Sequence, residues 1–381
     1  MPSNHAILSP SAAHRWLHCT AAPRLEEHVE DGGSDFAAEG SLAHAICALK
    51  LKQALHEDHT EELEEIAQLR DKYYSEEMEH FTDDYANYVL DKYATARHHT
   101  GDARLWVEHR IDFARWIPDG FGTADAVIVA DDTLEVVDFK YGKGVEVSAT
   151  SNPQMMIYAL GAYAVASFTY DIHKVRMTIY QPRLNHVDTY EMQVVDLLAW
   201  ASAVLKPKAA EAYEGGGEQV PGDWCRFCKV KGTCRALAKH VVETTSGDPR
   251  LLTAAEIAEK VLPVLDTVRT WLKGVEDYAL NEALLGTKFP GFKLVEGRSL
   301  RKITDPDACL DALRAAGYAE QAVVRPPELR TITDLEKIVG RKAFAEICGE
   351  FIEKPQGKPT LVPESDKRPA WSSAASDFAN F

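Results

Sequence analysis

Residues 122–142 read GTADAVIVADDTLEVVDFKYG, and this stretch decides the fold. Two apolar, β-type runs flank the turn pair Asp131-Asp132, so the spacing predicts a hairpin tipped there. Folding about that tip sets Asp125 opposite Asp138. Side chains at i and i+2 of a strand share a face, so Asp138 and Lys140 reach one site. Two carboxylates and an ammonium then converge at one end of a sheet. Such a set suits a hard divalent cation, because Mg²⁺ prefers oxygen ligands. A lysine beside the ion orients a water or stabilises charge growing on a phosphorane. The bland alternative is an exposed sheet edge carrying a surface salt pair.

Working outward, RLWVEHRIDF (104–113) reads as a third strand before the hairpin. An apolar helix follows over 153–168, then strands over 173–181 and 187–194, then a helix over 196–213 that ends at Gly215-Gly216-Gly217. Upstream lie a short helix over 9–19, a glycine-rich break, a strong helix over 38–56 and acidic helices over 57–97. This order predicts an α/β class: a small mixed sheet flanked by helices. Residues 1–246 make the first domain, with the acidic insert 57–97 and a cysteine cluster over 225–234. A C-terminal α+β accessory region is expected over 250–363, with a helix over 254–284, a strand pair around 288–303 and helices over 305–317 and 333–350. Residues 364–381 read as a mobile tail.

Hydrophobic residues form 45% of the 381, enough for a sizeable core, which excludes global disorder. No apolar run approaches the roughly 18 residues that cross a bilayer. With no basic, apolar leader visible, the expectation is a cytoplasmic protein without a membrane partner. The net charge of −17 argues at first against nucleic acid. Residues 57–91, however, hold thirteen acids against only Arg70 and Lys72. Such a block is expected to be a solvated helical face, so global charge does not decide the partner.

Three further residues join the carboxylates. His44, on the helix before the strands, offers a nitrogen ligand that would admit Mn²⁺ as well as Mg²⁺. Gln154 and Tyr158, at i and i+4, share a face of the helix after the strands. In order, His44, Asp125, Asp138-x-Lys140 and Gln154-x-x-x-Tyr158 resemble the motifs of the RecB-like branch of the PD-(D/E)xK nucleases. The CRISPR-associated RecB-like exonucleases and AddB-type nuclease domains are the most similar members. The resemblance implies a restriction-endonuclease-like core in which His44, Asp125, Asp138 and the Phe139 carbonyl bind metal. Lys140 would act on the water or the scissile phosphate, and Gln154 and Tyr158 would hold the DNA backbone or the metal-site water.

Seven cysteines in a cytosolic chain point away from disulfides. Cys47, Cys309 and Cys348 are scattered and read as buried small hydrophobes. Cys225-x2-Cys228-x5-Cys234 is a cluster, with Cys19 far upstream. A Cys₃His zinc site using His240 is one reading. The other is again a resemblance: the same exonucleases staple their N-terminal helix to the core with four thiolates on a [4Fe–4S] cluster. By that resemblance Cys19, Cys225, Cys228 and Cys234 hold iron and sulfide.

Arg226, Lys229, Lys231 and Arg235 surround the cluster without an intervening acid, a strip suited to DNA phosphates. Arg298, Arg301 and Lys302, near Phe289 and Phe292, read either as a strand-binding groove or as an ordinary charged hairpin. The chain's layout also resembles an uncharacterised phage and prophage family with a RecB-like core. Two functions follow as expectations. One is a metal-dependent DNA exonuclease in phage replication or recombination, acting on single strands or DNA ends beside a phage protein partner. The other is a catalytically silent DNA-end-binding or assembly factor with the same fold.

Overall fold

In the computed structural model of the chain, residues 6–29, 35–144, 146–245, 254–297, 302–325, 328–329, 332–353, 359–363 and 369 are described. Helices α1 (Ala13–His18), α2 (Ala22–Glu26), α3 (Asp35–Leu55), α4 (Thr60–Tyr73) and α5 (Glu76–His99) come first. Strands β1 (Arg104–Asp112), β2 (Phe121–Ala130) and β3 (Thr133–Phe139) follow. Helix α6 (Pro153–Ala166) leads to β4 (Lys174–Gln181) and β5 (His186–Gln193), and then to α7 (Val194–Trp200), α8 (Lys206–Glu214) and α9 (Arg235–Thr245). Two compact units result, Met1–Leu272 and Lys273–Phe381.

The five strands make one mixed sheet in the order β1-β2-β3-β4-β5. The β2–β3 hairpin turns where the sequence predicts, with Ala130 opposite Thr133. Asp131 takes a φ of 49° at the tip, a left-handed conformation that aspartate tolerates better than most residues. β3 and β4 are parallel while the other pairs are antiparallel. A parallel pair needs a crossover, and α6 supplies it.

Each face of the sheet buries a core. Leu42, Ile46, Leu51, Tyr85 and Val89 from α3 and α5 pack on Ala126, Ile128, Val137 and Phe139. Tyr85 also donates its hydroxyl to the Val137 carbonyl at 3.1 Å. On the other face α6 is buried continuously from Met155 to Ala162, as a helix apolar all round must be. It lies between the sheet and the residues Ala13, Trp16, Leu197 and Leu205. Gly161 lets it approach closely, since a Cβ there would lie 2.3 Å from Ile111 Cγ2.

Several elements differ in detail from their sequence reading. The acidic block is more than a solvated face: Lys52 pairs with the buried Glu62 at 2.6 Å, and Lys50 with Glu79 and Asp83 at 2.9 and 2.7 Å. The helix over 196–213 contains a π turn at Ala201–Leu205, and Gly215 closes it at a φ of 86°. The helix over 254–284 is broken by π and 3₁₀ turns before Leu265, where Pro263 removes a donor.

In the second unit, helices Pro306–Ala315, Ile332–Val339 and Arg341–Cys348 pack around Cys309, Leu313, Leu335, Phe344 and Cys348. The strand pair expected around 288–303 does not form as a hairpin. Phe292–Glu296 pairs instead with Pro359–Pro363, and Lys302–Ile303 with Ile352–Glu353, so sequence-distant partners win. Arg298 and Arg301 lie outside the described residues, as does the tail 364–381 apart from residue 369. Among the described residues no helix is long and apolar enough to cross a membrane.

Candidate functional site

The β2–β3 ladder ends at the Ala126–Val137 pair, and Asp125 and Asp138 stand one residue beyond it at the open end of the hairpin. Asp125 Oδ2 accepts the Phe139 N–H at 2.7 Å, and Asp125 Oδ1 is 3.3 Å from His44 Nδ1 on α3. Asp138 faces the other way. Its Oδ2 is 2.9 Å from Lys140 Nζ, and its Oδ1 accepts Gln154 Nε2 at 3.0 Å. Lys140 Nζ donates to Gln154 Oε1 at 3.2 Å, closing a triangle. Lys140 lies one residue past β3 yet keeps the ladder, its N–H bonded to the Tyr180 carbonyl at 2.9 Å.

Gln154 is held by its helix start. Asn152 caps α6 by accepting the Gln154 and Met155 N–H groups at 3.1 and 3.3 Å, with Pro153 in the first turn. Tyr158, one turn on, is buried, and a Cβ on Gly122 would come within 3.1 Å of its ring.

Glu108 joins the site without having been read from the sequence. Ligand atoms of His44, Glu108 and Asp125 all lie within 4.8 Å of one another. The reason is a change of face. Leu105 and Val107 pack on the α3–α5 side, whereas Ile111, of the same parity, packs on the α6 side. Ala126 and Ile128 likewise oppose Ala124. Both strands switch at the level of Glu108 and Asp125, where Glu108 adopts a φ of 45° between the Val107–Ala126 and His109–Ala124 pairs. An acid inside a strand opposite Asp125 was the available signal; the face switch hides it from a period-two reading.

Burial and neighbours push these groups apart. Burial lowers the His44 pKa, but the charge and hydrogen bond of Asp125, then Glu108 and Asp138, raise it to about 9. Burial and the Asp125 charge push Glu108 up to about 8, with His44 opposing. Burial raises Asp125, but His44, the Phe139 N–H and Lys140 outweigh it and hold the carboxyl below its ordinary value. Burial dominates at Asp138 and raises it despite Lys140. Lys140 is raised: burial lowers it, and Asp138 more than compensates. Burial and the two aspartates raise the Tyr158 phenol, which stays protonated. Carboxyls with diverging pKa values are the usual sign of divided roles.

Cys19, Cys225, Cys228 and Cys234 line one small cavity, and all four are free thiols. Cys19 lies directly after α1, so the cavity joins the N-terminal helices to the 222–234 loop. The same junction carries a buried clamp: Arg15 meets Glu26 at 2.9 Å, and Glu26 accepts the Lys229 N–H at 2.7 Å. His240 is not among the residues lining the cavity. In the basic strip, Arg226 and Arg235 are exposed. Lys231 Nζ is committed to the Arg226 carbonyl at 2.9 Å, and Lys229 Nζ reaches the Val29 carbonyl at 3.5 Å.

Fold and site together define a mixed α/β protein with carboxylates, an imidazole and a lysine gathered at one end of its sheet. The chain belongs to the family described as "Protein of unknown function (DUF2800)", whose model matches residues 5–369. A solved structure titled "Crystal structure of SSO0001" is similar at 13% identity, covering 57% of this chain and 95% of that one, with a TM-score of 0.22.

Proposed function

We propose that the chain is a divalent-metal-dependent deoxyribonuclease of the RecB-like PD-(D/E)xK kind, acting as an exonuclease in phage or prophage DNA processing. The observation that carries this reading is the gathering of His44, Glu108 and Asp125 beside the Asp138–Lys140–Gln154 triangle. One imidazole nitrogen and two carboxylates fit Mn²⁺ or Mg²⁺. A bound ion would supply Lewis acidity to a phosphate oxygen. Lys140 stabilises negative charge as it grows on the phosphate. Gln154 fixes the position of Lys140 through Oε1 and of Asp138 through Nε2. The Phe139 N–H keeps Asp125 aimed at His44. Four thiols around one cavity fit a [4Fe–4S] cluster that ties α1 to the core, with Zn²⁺ as the rival occupant.

The test is degradation of end-labelled single- and double-stranded DNA with Mg²⁺ or Mn²⁺, alongside Lys140→Ala. Removing one charge-stabilising donor is expected to slow cleavage about 10²- to 10³-fold. If the wild-type protein binds DNA ends but cuts neither substrate with either metal, the chain is an end-binding factor and the nuclease reading is lost.

A further inference from the structure

A cavity of about 470 Å³ lies beside the start of α6, between α1, the loop over 148–152 and the turn after α7. Its volume falls within the roughly 300–1,000 Å³ of small-ligand sites. His18, Thr150, Ser151, Asn152, Trp200 and Val204 are among its lining residues. His18 is exposed and stacks parallel on Trp224, with ring centroids 4.3 Å apart and planes 16° apart. Trp224 is itself fixed by its indole N–H, which donates to the Val220 carbonyl at 2.7 Å. The groove therefore offers the His18 ring, backed by Trp224 from outside the lining, and the half-buried Trp200, next to the exposed hydroxyls of Ser148, Thr150 and Ser151. It carries no lysine or arginine in its lining.

We infer that this groove is a base-stacking subsite for a single-stranded DNA whose neighbouring phosphate lies at the Asp138–Lys140 site. The inference rests on the nuclease reading for that neighbour. Asn152 lines the groove, and Gln154, two residues on, touches both Asp138 and Lys140. Two residues span at most about 8 Å of backbone, which sets the Asn152 edge of the groove within that distance of the Gln154 backbone. Only unpaired bases present free faces to aromatic side chains, and a duplex keeps its faces inside its own stack. Without basic lining residues, the groove's share of affinity is stacking rather than counterion release, and so is insensitive to salt.

The full-length protein is titrated in EDTA with a fluorescent single-stranded oligothymidylate and with a duplex, at about 50 and 200 mM salt. Trp200→Ala is expected to weaken single-strand binding roughly fivefold or more, equally at both salts, with duplex binding unchanged. Val204 is 42% exposed, so Val204→Glu leaves the core intact while placing a carboxylate in the groove, and it should weaken the same strand. Bromodeoxyuridine crosslinking of the wild-type protein should mark the peptides carrying His18 or Trp200. Unchanged single-strand affinity in both variants, or crosslinks confined to other peptides while the protein still degrades DNA, overturns the subsite and spares the nuclease. Stacking lost in the variants of a protein that cuts nothing supports the subsite and removes the nuclease.

Discussion

Gly161→Ala tests how α6 positions the site, whatever the function. The added Cβ would lie 2.3 Å from Ile111 Cγ2, 3.2 Å from Phe113 Cδ1 and 3.5 Å from the Asp112 carbonyl. Apolar carbons sit about 3.5–4.0 Å apart, so helix and strand must separate by more than about 1 Å. Ile111 is fully buried and β-branched, so it cannot swing aside. Overpacking costs about 1–3 kcal/mol, and this clash belongs at the upper end. Alanine's helix propensity offsets about 1 kcal/mol, leaving about 2 kcal/mol of net destabilisation. At about 2–4 °C per kcal/mol, Tm should fall by about 4–8 °C. Ile111→Ala should relieve part of the loss, with a coupling of about 1 kcal/mol or more in the double-mutant cycle. The Gln154 contacts at 3.0 and 3.2 Å have only about 0.3–0.5 Å of slack, so cleavage should drop as well. Calorimetric scans of the four proteins decide it. A Gly161→Ala Tm equal to or above wild type would refute the close approach of α6 to β1.

Cys225→Ser should abolish iron and sulfide content and the brown colour of protein purified without air, and lower Tm, while Cys47→Ala keeps the colour. Zinc without sulfide in the wild-type protein would instead assign the cavity to Zn²⁺. Asp188 accepts Ala149 N–H and Ser148 Oγ–H at 2.7 and 2.8 Å, and these bonds depress its carboxyl. A depressed carboxyl stabilises the fold above its unfolded value of about 3.9 and loses that contribution as pH falls through the folded value. Asp188→Asn should therefore cost about 1 kcal/mol at pH 7 and converge on wild type in acid melts. A constant gap down to about pH 3 would contradict this.

The hairpin was legible because a two-residue turn fixes register arithmetically, but the ladder stops at Ala126–Val137, and Asp125 and Asp138 just beyond it leave by opposite faces instead of pairing. Gln154 and Lys140 followed from helical and strand periods, although their mutual contact did not. Glu108 was not legible: local alternation assigns it to the wrong face, and the left-handed residue that reverses the strand is itself a glutamate, not a glycine. The Cys19 pairing rested on resemblance, since nothing local to it encodes proximity to a loop two hundred residues on. The pairing of the second unit's strands escapes local spacing for a related reason. Each pairs with a partner beyond residue 350, and short-range spacing carries no record of that.

The two aspartates make a final separable prediction. Resemblance groups Asp138 with the metal ligands, whereas geometry groups it with Lys140 and Gln154 and gives the metal set Glu108 instead. Asparagine at either position keeps an acceptor oxygen, for the Phe139 N–H at 125 or for Gln154 Nε2 at 138, so both variants should fold. Removing one charged ligand costs metal affinity directly, and loss of a supporting partner alone typically costs about 10- to 100-fold. Asp125→Asn and Glu108→Gln should therefore lose Mn²⁺ binding, read by electron paramagnetic resonance, while Asp138→Asn retains it. Asp138→Asn should fail in cleavage, because Lys140 loses the carboxylate that holds its ammonium in place. Equal loss of Mn²⁺ in Asp125→Asn and Asp138→Asn, with Glu108→Gln unaffected, would return Asp138 to the metal and leave Glu108 a charge that only sets the His44 proton.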